Sequence, residues 1–168
     1  MAKLLYTYVQ PTAPKHLEQA CSILEQGGLL VYPTDVNWAI GCDPSKKKAI
    51  ERILQLKPTH PKKQPFSFLC NSIAMIADYA WIENNTYRIL KKILPGPYTI
   101  LLKSKKQLQH WIEDKRKILG IRFPDTPLLT DLIHAYGGPI LSSSLPQRIL
   151  DSKGDIKELH FGFEIEAY

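Results

Sequence analysis

Short apolar runs with extended character alternate along this chain with amphipathic stretches of helix length, and Gly-Gly or Pro-Gly-Pro punctuation separates them. That order restricts the fold more than any other feature, because alternating strand and helix patterns require helices layered on a twisted sheet, an α/β arrangement. The pattern predicts a strand at Leu4–Val9, then a helix over Pro14–Gln26 with Leu17, Ala20, Cys21 and Leu24 as its stripe and Gly27-Gly28 as its stop. Gly28–Pro33 reads as a buried strand, and Trp38–Cys42 resumes extended structure after a polar loop. The next helix is expected to start at Asp43, with Pro44 in its first turn, to bury Ile50, Ile53 and Leu54, and to end before Pro58. The segment KPTHPKKQP reads as a loop. Phe66–Cys70, Tyr98–Lys103, Ile118–Phe123 and Pro139–Ser142 read as further strands. Helices are expected over Asn85–Leu94, stopped by Pro95-Gly96-Pro97, and over Pro127–Tyr136, with Leu128, Leu129, Leu132 and Ile133 inward.

A length of 168 residues suits one domain, and 44% hydrophobic content supplies a core without a metal or disulfide staple. The longest apolar runs, such as Leu29-Leu30-Val31-Tyr32, are far below the ~20 residues that span a bilayer. No signal-peptide cleavage pattern follows MAKLLYTYVQP, so the expected location is cytoplasmic, with no membrane partner. Cys21, Cys42 and Cys70 form no close-spaced pattern and read as reduced thiols. His16, His60, His110, His134 and His160 are scattered, which gives no metal site.

Charge is unevenly placed. Residues 44–63 hold seven cations against Glu51, and residues 88–122 hold ten against Glu113 and Asp114. Two such segments could line one surface that attracts phosphates, or could be solvated lysines with no common face. Phosphate-loop, dinucleotide, zinc-protease and nucleophile-elbow fingerprints are all absent. Candidate chemistry is left in loops at strand ends, where ligands of open α/β sheets usually bind.

Four segments there carry a resemblance. GGLLVYPTDVNWAIGCDP, LPGPYTILLK at Leu94–Lys103, GIRFPDTP at Gly120–Pro127 and GGPILSSSLP at Gly137–Pro146 are collinear with the motifs of the YrdC/YciO family, the threonylcarbamoyl-AMP synthase-like proteins. The resemblance covers roughly residues 5–150 and is closer to the YciO branch. It implies a single YrdC-like domain over 1–168, a twisted mixed sheet with flanking helices around a basic concave surface. The chain stops at FGFEIEAY, about where the family's last strand should start, which implies an open sheet edge.

Catalytic members of the family combine threonine, bicarbonate and ATP, with Mg, into threonylcarbamoyl-AMP for tRNA modification. Others are described as binding double-stranded RNA. The resemblance places Thr34, Thr99 and Arg122 against the amino acid. It places Lys57, Ser142 and Ser144 on the nucleotide side, and the cations Lys46, Lys47, Lys62 and Lys63 suit RNA. No nucleophilic side chain is needed, because the substrate amine attacks. Arg122, flanked by Ile121 and Phe123, offers a planar fork to a carboxylate, the alternative being an ion pair that only holds the fold. For Asp35 and Asn37 the plain expectation is a turn in which both bond to nearby backbone. Several positions depart from the catalytic pattern: Val36, Trp38, Thr59, Leu69 in place of a histidine, and Leu145-Pro146 in place of Ala-Asn. Three readings follow: a synthase of altered efficiency, a non-catalytic RNA-binding protein of the same fold, and a binder of another nucleotide or small acid.

Overall fold

The computed structural model describes residues 11–56, 66–105, 118–145 and 163–164. The expected strand at 4–9 and the loop at 57–65 lie outside these residues.

Helix α1 spans Pro14–Glu25, with proline in its first turn. It ends in paired reverse bonds, from Gly27 N–H to the Leu24 carbonyl at 2.9 Å and from Gly28 N–H to the Ile23 carbonyl at 2.8 Å. Gly27 takes φ 79°, the left-handed conformation that such a cap requires. Strands β1 (Leu30–Pro33) and β2 (Trp38–Cys42) form a hairpin. Helix α2 covers Lys47–Leu56 and starts later than Asp43. The Asp43 carboxylate accepts the Ser45 N–H at 2.7 Å, a local turn that competes with helix at that point. Ala49 and Ile53 are its buried residues, and Leu54 is exposed.

Strand β3 (Ser67–Leu69) leads to helix α3 (Ile73–Tyr79), capped by the Ser72 hydroxyl accepting from Met75 N–H. Helix α4 (Asn84–Ile93), strand β4 (Ile100–Lys103) and strand β5 (Ile118–Arg122) follow. Helix α5 (Pro127–Tyr136) runs from proline to a left-handed Gly137, and strand β6 (Ile140–Ser144) continues two residues beyond the expected end. Two residues, Phe163–Glu164, form β7 against the outer side of β1.

The sheet has the order β4-β5-β3-β6-β2-β1-β7, antiparallel except between β3 and β5. Side chains alternate between its two faces. On one face Val31, Ile40, Phe68, Ile121 and Leu141 pack with Ala49 and Ile53 of α2 and Ile76 of α3. On the other, Leu30, Tyr32, Ala39, Leu69 and Ile140 pack under α1 and α5, through Ala20, Leu24, Leu129, Leu132 and Ile133. Each fully buried aliphatic side chain contributes roughly 1.5–3 kcal/mol, which fixes both layers to the sheet. Among the described residues, cover on the second face stops short of β4 and β5, where Leu101 is 62% exposed. No helix among the described residues is long and apolar enough to cross a membrane.

Candidate functional site

The half of the second face that no described helix covers is floored by small residues. Strand register sets Gly41 opposite Ser142, Ser142 opposite Ser67, and Ser67 opposite Gly120. Leu69 and Ile140, two positions along from Ser67 and Ser142, point into the helix-covered core on this same face. By that alternation Ser142, Ser144, Ser67, Gly120 and Arg122 all share it. Thr99 belongs there too, since its Cγ2 lies 3.7 Å from where a Gly120 Cβ would be. Leu69 itself is fully buried beneath the helices and takes no part in the floor.

Over this floor hangs the β1–β2 turn. The Thr34 hydroxyl donates to the Asn37 carbonyl at 2.7 Å and accepts the N–H groups of Val36 at 3.2 Å and Asn37 at 3.1 Å. One donor and two acceptor sites are thereby filled, so a ligand meeting Thr34 in this conformation would meet its methyl or backbone. Asp35 does not follow the expectation of bonding within its own turn. Its Oδ1 accepts from Arg122 Nη2 at 2.7 Å, and its Oδ2 accepts the Asp125 N–H at 3.3 Å. The fixed guanidinium charge outcompetes the local turn bonds that a neutral environment would favour. The two side chains are 15% and 10% exposed, which makes the pair partly desolvated. Arg122 Nε is buried and has no hydrogen-bond partner among the described residues, so the fork is only partly used.

Tyr32 reaches in from β1. A Cβ at position 41 would stand 2.2 Å from the Tyr32 hydroxyl, so glycine at 41 is what admits the phenol. Burial pushes that phenol far above its ordinary range, against smaller downward pulls from the Ser142 hydroxyl and the Arg122 charge. Tyr32, Ser142 and Arg122 are therefore electrostatic neighbours, with the phenol neutral at any physiological pH.

Of the residues singled out from sequence, the structure brings Thr99, Arg122, Ser142 and Ser144 to one face of the sheet, with the Thr34 turn tied over it through Asp35. Ser142 is buried and Ser144 exposed. Lys46 and Lys47 stand at the start of α2, whose Ala49 and Ile53 pack on the opposite face of the sheet, so these lysines belong to a different surface. Lys57, Lys62 and Lys63 lie outside the described residues. Sequence reasoning missed Tyr32, Gly41, Ser67 and Gly120, and the tie from Asp35 to Arg122. Alternation in FSFLC could have put Ser67 on the face opposite Phe68, but nothing local could have joined positions 35 and 122. Among the described residues no three potential metal ligands cluster.

Comparison with known proteins agrees with this architecture. The Sua5_yciO_yrdC family model, described as telomere recombination, matches residues 22–161. An uncharacterised protein of Haemophilus influenzae is 36% identical over 146 residues, spanning 86% of this chain and 70% of that protein. A threonylcarbamoyl-AMP synthase of Halorhodospira halophila is 29% identical over 160 residues, spanning 93% of this chain and 83% of the synthase. The crystal structure of Escherichia coli YciO superposes with a TM-score of 0.82 at 31% identity, covering 92% of this chain and 81% of that one.

Proposed function

The chain belongs to the Sua5/YciO/YrdC family, and from that premise we propose that its hollow joins threonine, bicarbonate and ATP into threonylcarbamoyl-AMP for tRNA modification. The amine of threonine attacks the carbon of bicarbonate, whose hydroxyl leaves with an amine proton as water, and the resulting carbamate oxygen attacks the α-phosphorus while pyrophosphate leaves. The protein's work in such a reaction is positioning, charge stabilisation and exclusion of water. Arg122 holds the threonine carboxylate with the donors that Asp35 leaves unspent, and Thr99 and the Thr34 turn flank the amino acid. Ser142 and Ser144 face the nucleotide, and Lys57 neutralises its phosphates. Magnesium would arrive with the triphosphate, and no step is assigned to it.

The observation that carries this reading is the half-used guanidinium of Arg122, set over a floor of hydroxyls and glycines on the part of the sheet that no described helix covers. The test is incubation of the purified chain with ATP, threonine and bicarbonate, with mass spectrometry for the carbamoyl-adenylate and a parallel pyrophosphate assay. Threonine- and bicarbonate-dependent product is expected, falling at least ~100-fold in Arg122→Ala, about the loss that one transition-state donor causes. No product from the wild-type chain overturns the reading. Product unaffected by the substitution overturns the role of Arg122.

The cationic runs at 44–63 and 88–122 favour an RNA partner, double-stranded or tRNA, for which Lys46, Lys47, Lys62 and Lys63 supply phosphate contacts. Its signature is affinity for duplex RNA that falls linearly with log salt, and a flat dependence removes this partner. A chain that binds RNA this way and makes no product is the non-catalytic alternative.

A further inference from the structure

Two exposed aromatic rings flank the start of α4, each with an ammonium against it. Trp81 is 61% exposed, and Lys105 Nζ lies 5.2 Å from the centre of its indole. Tyr87, in the first turn of α4, is 46% exposed, with Lys91 Nζ 5.9 Å from its ring centre. Trp81 is not loosely hung. Its N–H donates to the Lys103 carbonyl of β4 at 2.8 Å, and Lys105 N–H donates to the Tyr79 carbonyl at 2.9 Å. Lys105 Nζ donates in turn to the Ala77 carbonyl in the last turn of α3. An indole fixed by its backbone, backed by a fixed cation and still mostly exposed is the kind of ring that binding surfaces use. Ile82 and Leu94, at either end of α4, pack into the core layer on the first face of the sheet, so this surface lies apart from the hollow. Residues 81–105 hold Arg88, Lys91, Lys92, Lys103 and Lys105 against Glu83 alone. None of these five cations forms an ion pair among the described residues.

We infer that Trp81 and Tyr87, with their cations, form a platform on which unpaired bases of an RNA strand stack. Rings interleaved with positive charge match a polyanion whose phosphates are interleaved with flat bases. In a duplex the base faces are covered by their neighbours, so a ring platform selects strands that are not paired. Folded RNA offers such bases in loops, bulges and ends, where aromatic side chains take them up. The two α-carbons are six residues apart and therefore no more than ~20 Å, so a single strand of several nucleotides meets both rings. A membrane surface fits less well. Helix α4 buries Leu90 and shows outward Asn84, Asn85, Arg88, Lys91 and Lys92, with Ile89 as its one exposed aliphatic, which leaves no apolar face to insert. The platform shares no residue with the hollow and stands whether or not the chain makes threonylcarbamoyl-AMP. It also differs from the phosphate contacts proposed for Lys46 and Lys47, which a duplex satisfies.

The test is titration of the full-length chain with a labelled oligouridylate of about 12 nucleotides, within the span of known single-strand sites. Its duplex with oligoadenylate, an oligothymidylate of the same length and phosphatidylserine vesicles are the other arms, all at one salt concentration. Anisotropy reports binding to the strands, co-sedimentation reports binding to the vesicles, and tryptophan emission reports stacking. Oligouridylate should bind and quench the emission. Trp81→Ala should weaken that binding about tenfold, as for loss of one stacked base, and leave duplex affinity unchanged. Tyr87→Ala should weaken it as well. Trp81→Phe keeps a ring, so it should bind within about twofold of wild type and lose the quenching, which separates loss of the platform from loss of fold. Failure of wild type to bind oligouridylate overturns the inference, as does unchanged affinity in either alanine variant. Equal losses for single strand and duplex in Trp81→Ala overturn it too, as does a Trp81→Phe variant as weak as Trp81→Ala. Tighter binding of oligothymidylate assigns the surface to DNA, and Trp81-dependent binding to vesicles alone assigns it to a membrane. Either result discards the RNA platform.

Discussion

Arg122 and Asp35, 87 residues apart in sequence, meet at 2.7 Å although β3, β6 and β2 lie between β5 and the β1 end of the hairpin. With each strand adding ~4.8 Å, the contact requires the hairpin turn to fold back across the neighbouring strands, and it fixes that turn above this face of the sheet.

Asp35→Ala should destabilise the chain by roughly 2–3 kcal/mol in urea unfolding, between the near-zero value of an exposed pair and the larger cost of a fully buried one. Arg122→Ala should cost a similar amount, and the double variant clearly less than the sum. Strictly additive costs would show that the pair contributes nothing to holding the turn.

Gly41→Ala should cost about 2–3 kcal/mol as an overpacked core position. A methyl there would stand 2.2 Å from the Tyr32 hydroxyl, 2.8 Å from Ile140 Cγ2 and 3.0 Å from the Leu141 carbonyl. In a Tyr32→Phe background the first collision disappears and the other two persist, so the penalty should shrink without vanishing. An identical penalty in both backgrounds, from thermal melts, would detach Gly41 from the phenol.

Leu69→His, which introduces the residue type that the family resemblance leads one to expect at this position, should lose about 3 kcal/mol or more and gain no activity. Leu69 is fully buried beside Leu129, Leu132 and Ile140, where an imidazole finds no partner. Leu69→Met is the volume control and should cost less than ~1.5 kcal/mol. Enhanced product formation by the histidine variant would contradict this placement.

Stability should fall as pH rises above 9. Burial pushes the thiols of Cys42 and Cys70 up to about 12 from an ordinary 9.0, with smaller help from Asp43 and Asp78. The unfolded chain then releases these protons first, so their contribution is whole below about pH 9 and is lost progressively towards pH 12. Between pH 9 and 10, below the range where the tyrosines enter, the two thiols together should remove roughly 2 kcal/mol. Urea midpoints for wild type and the Cys42→Ala/Cys70→Ala variant check this, and equal slopes would refute it.

Local signals carried the secondary structure well. Strand β2 and helix α5 run as the sequence pattern predicts, because proline starts, glycine stops and period-2 alternation act within a few residues. Helix α2 began late because Asp43 spends its carboxylate on Ser45, and α3 was missed because seven residues show too little periodicity. At the site, Thr34, Thr99, Arg122, Ser142 and Ser144 could be named from motifs. Tyr32, Gly41 and the partner of Arg122 could not, since they depend on which strands become neighbours, and the order β4-β5-β3-β6-β2-β1-β7 is not written in any local stretch.

That order has a consequence for how the hollow comes into being. β6 is the strand that joins the β1–β2 hairpin to β3 and β5, and it follows all four of them along the chain. Until it docks, a nascent chain carries Asp35 without its countercharge and Arg122 without its floor. Proteolytic or synthetic fragments ending before Ile140 should consequently be inert towards ligands, so occupancy of the hollow reports completed assembly rather than any partial stage of it.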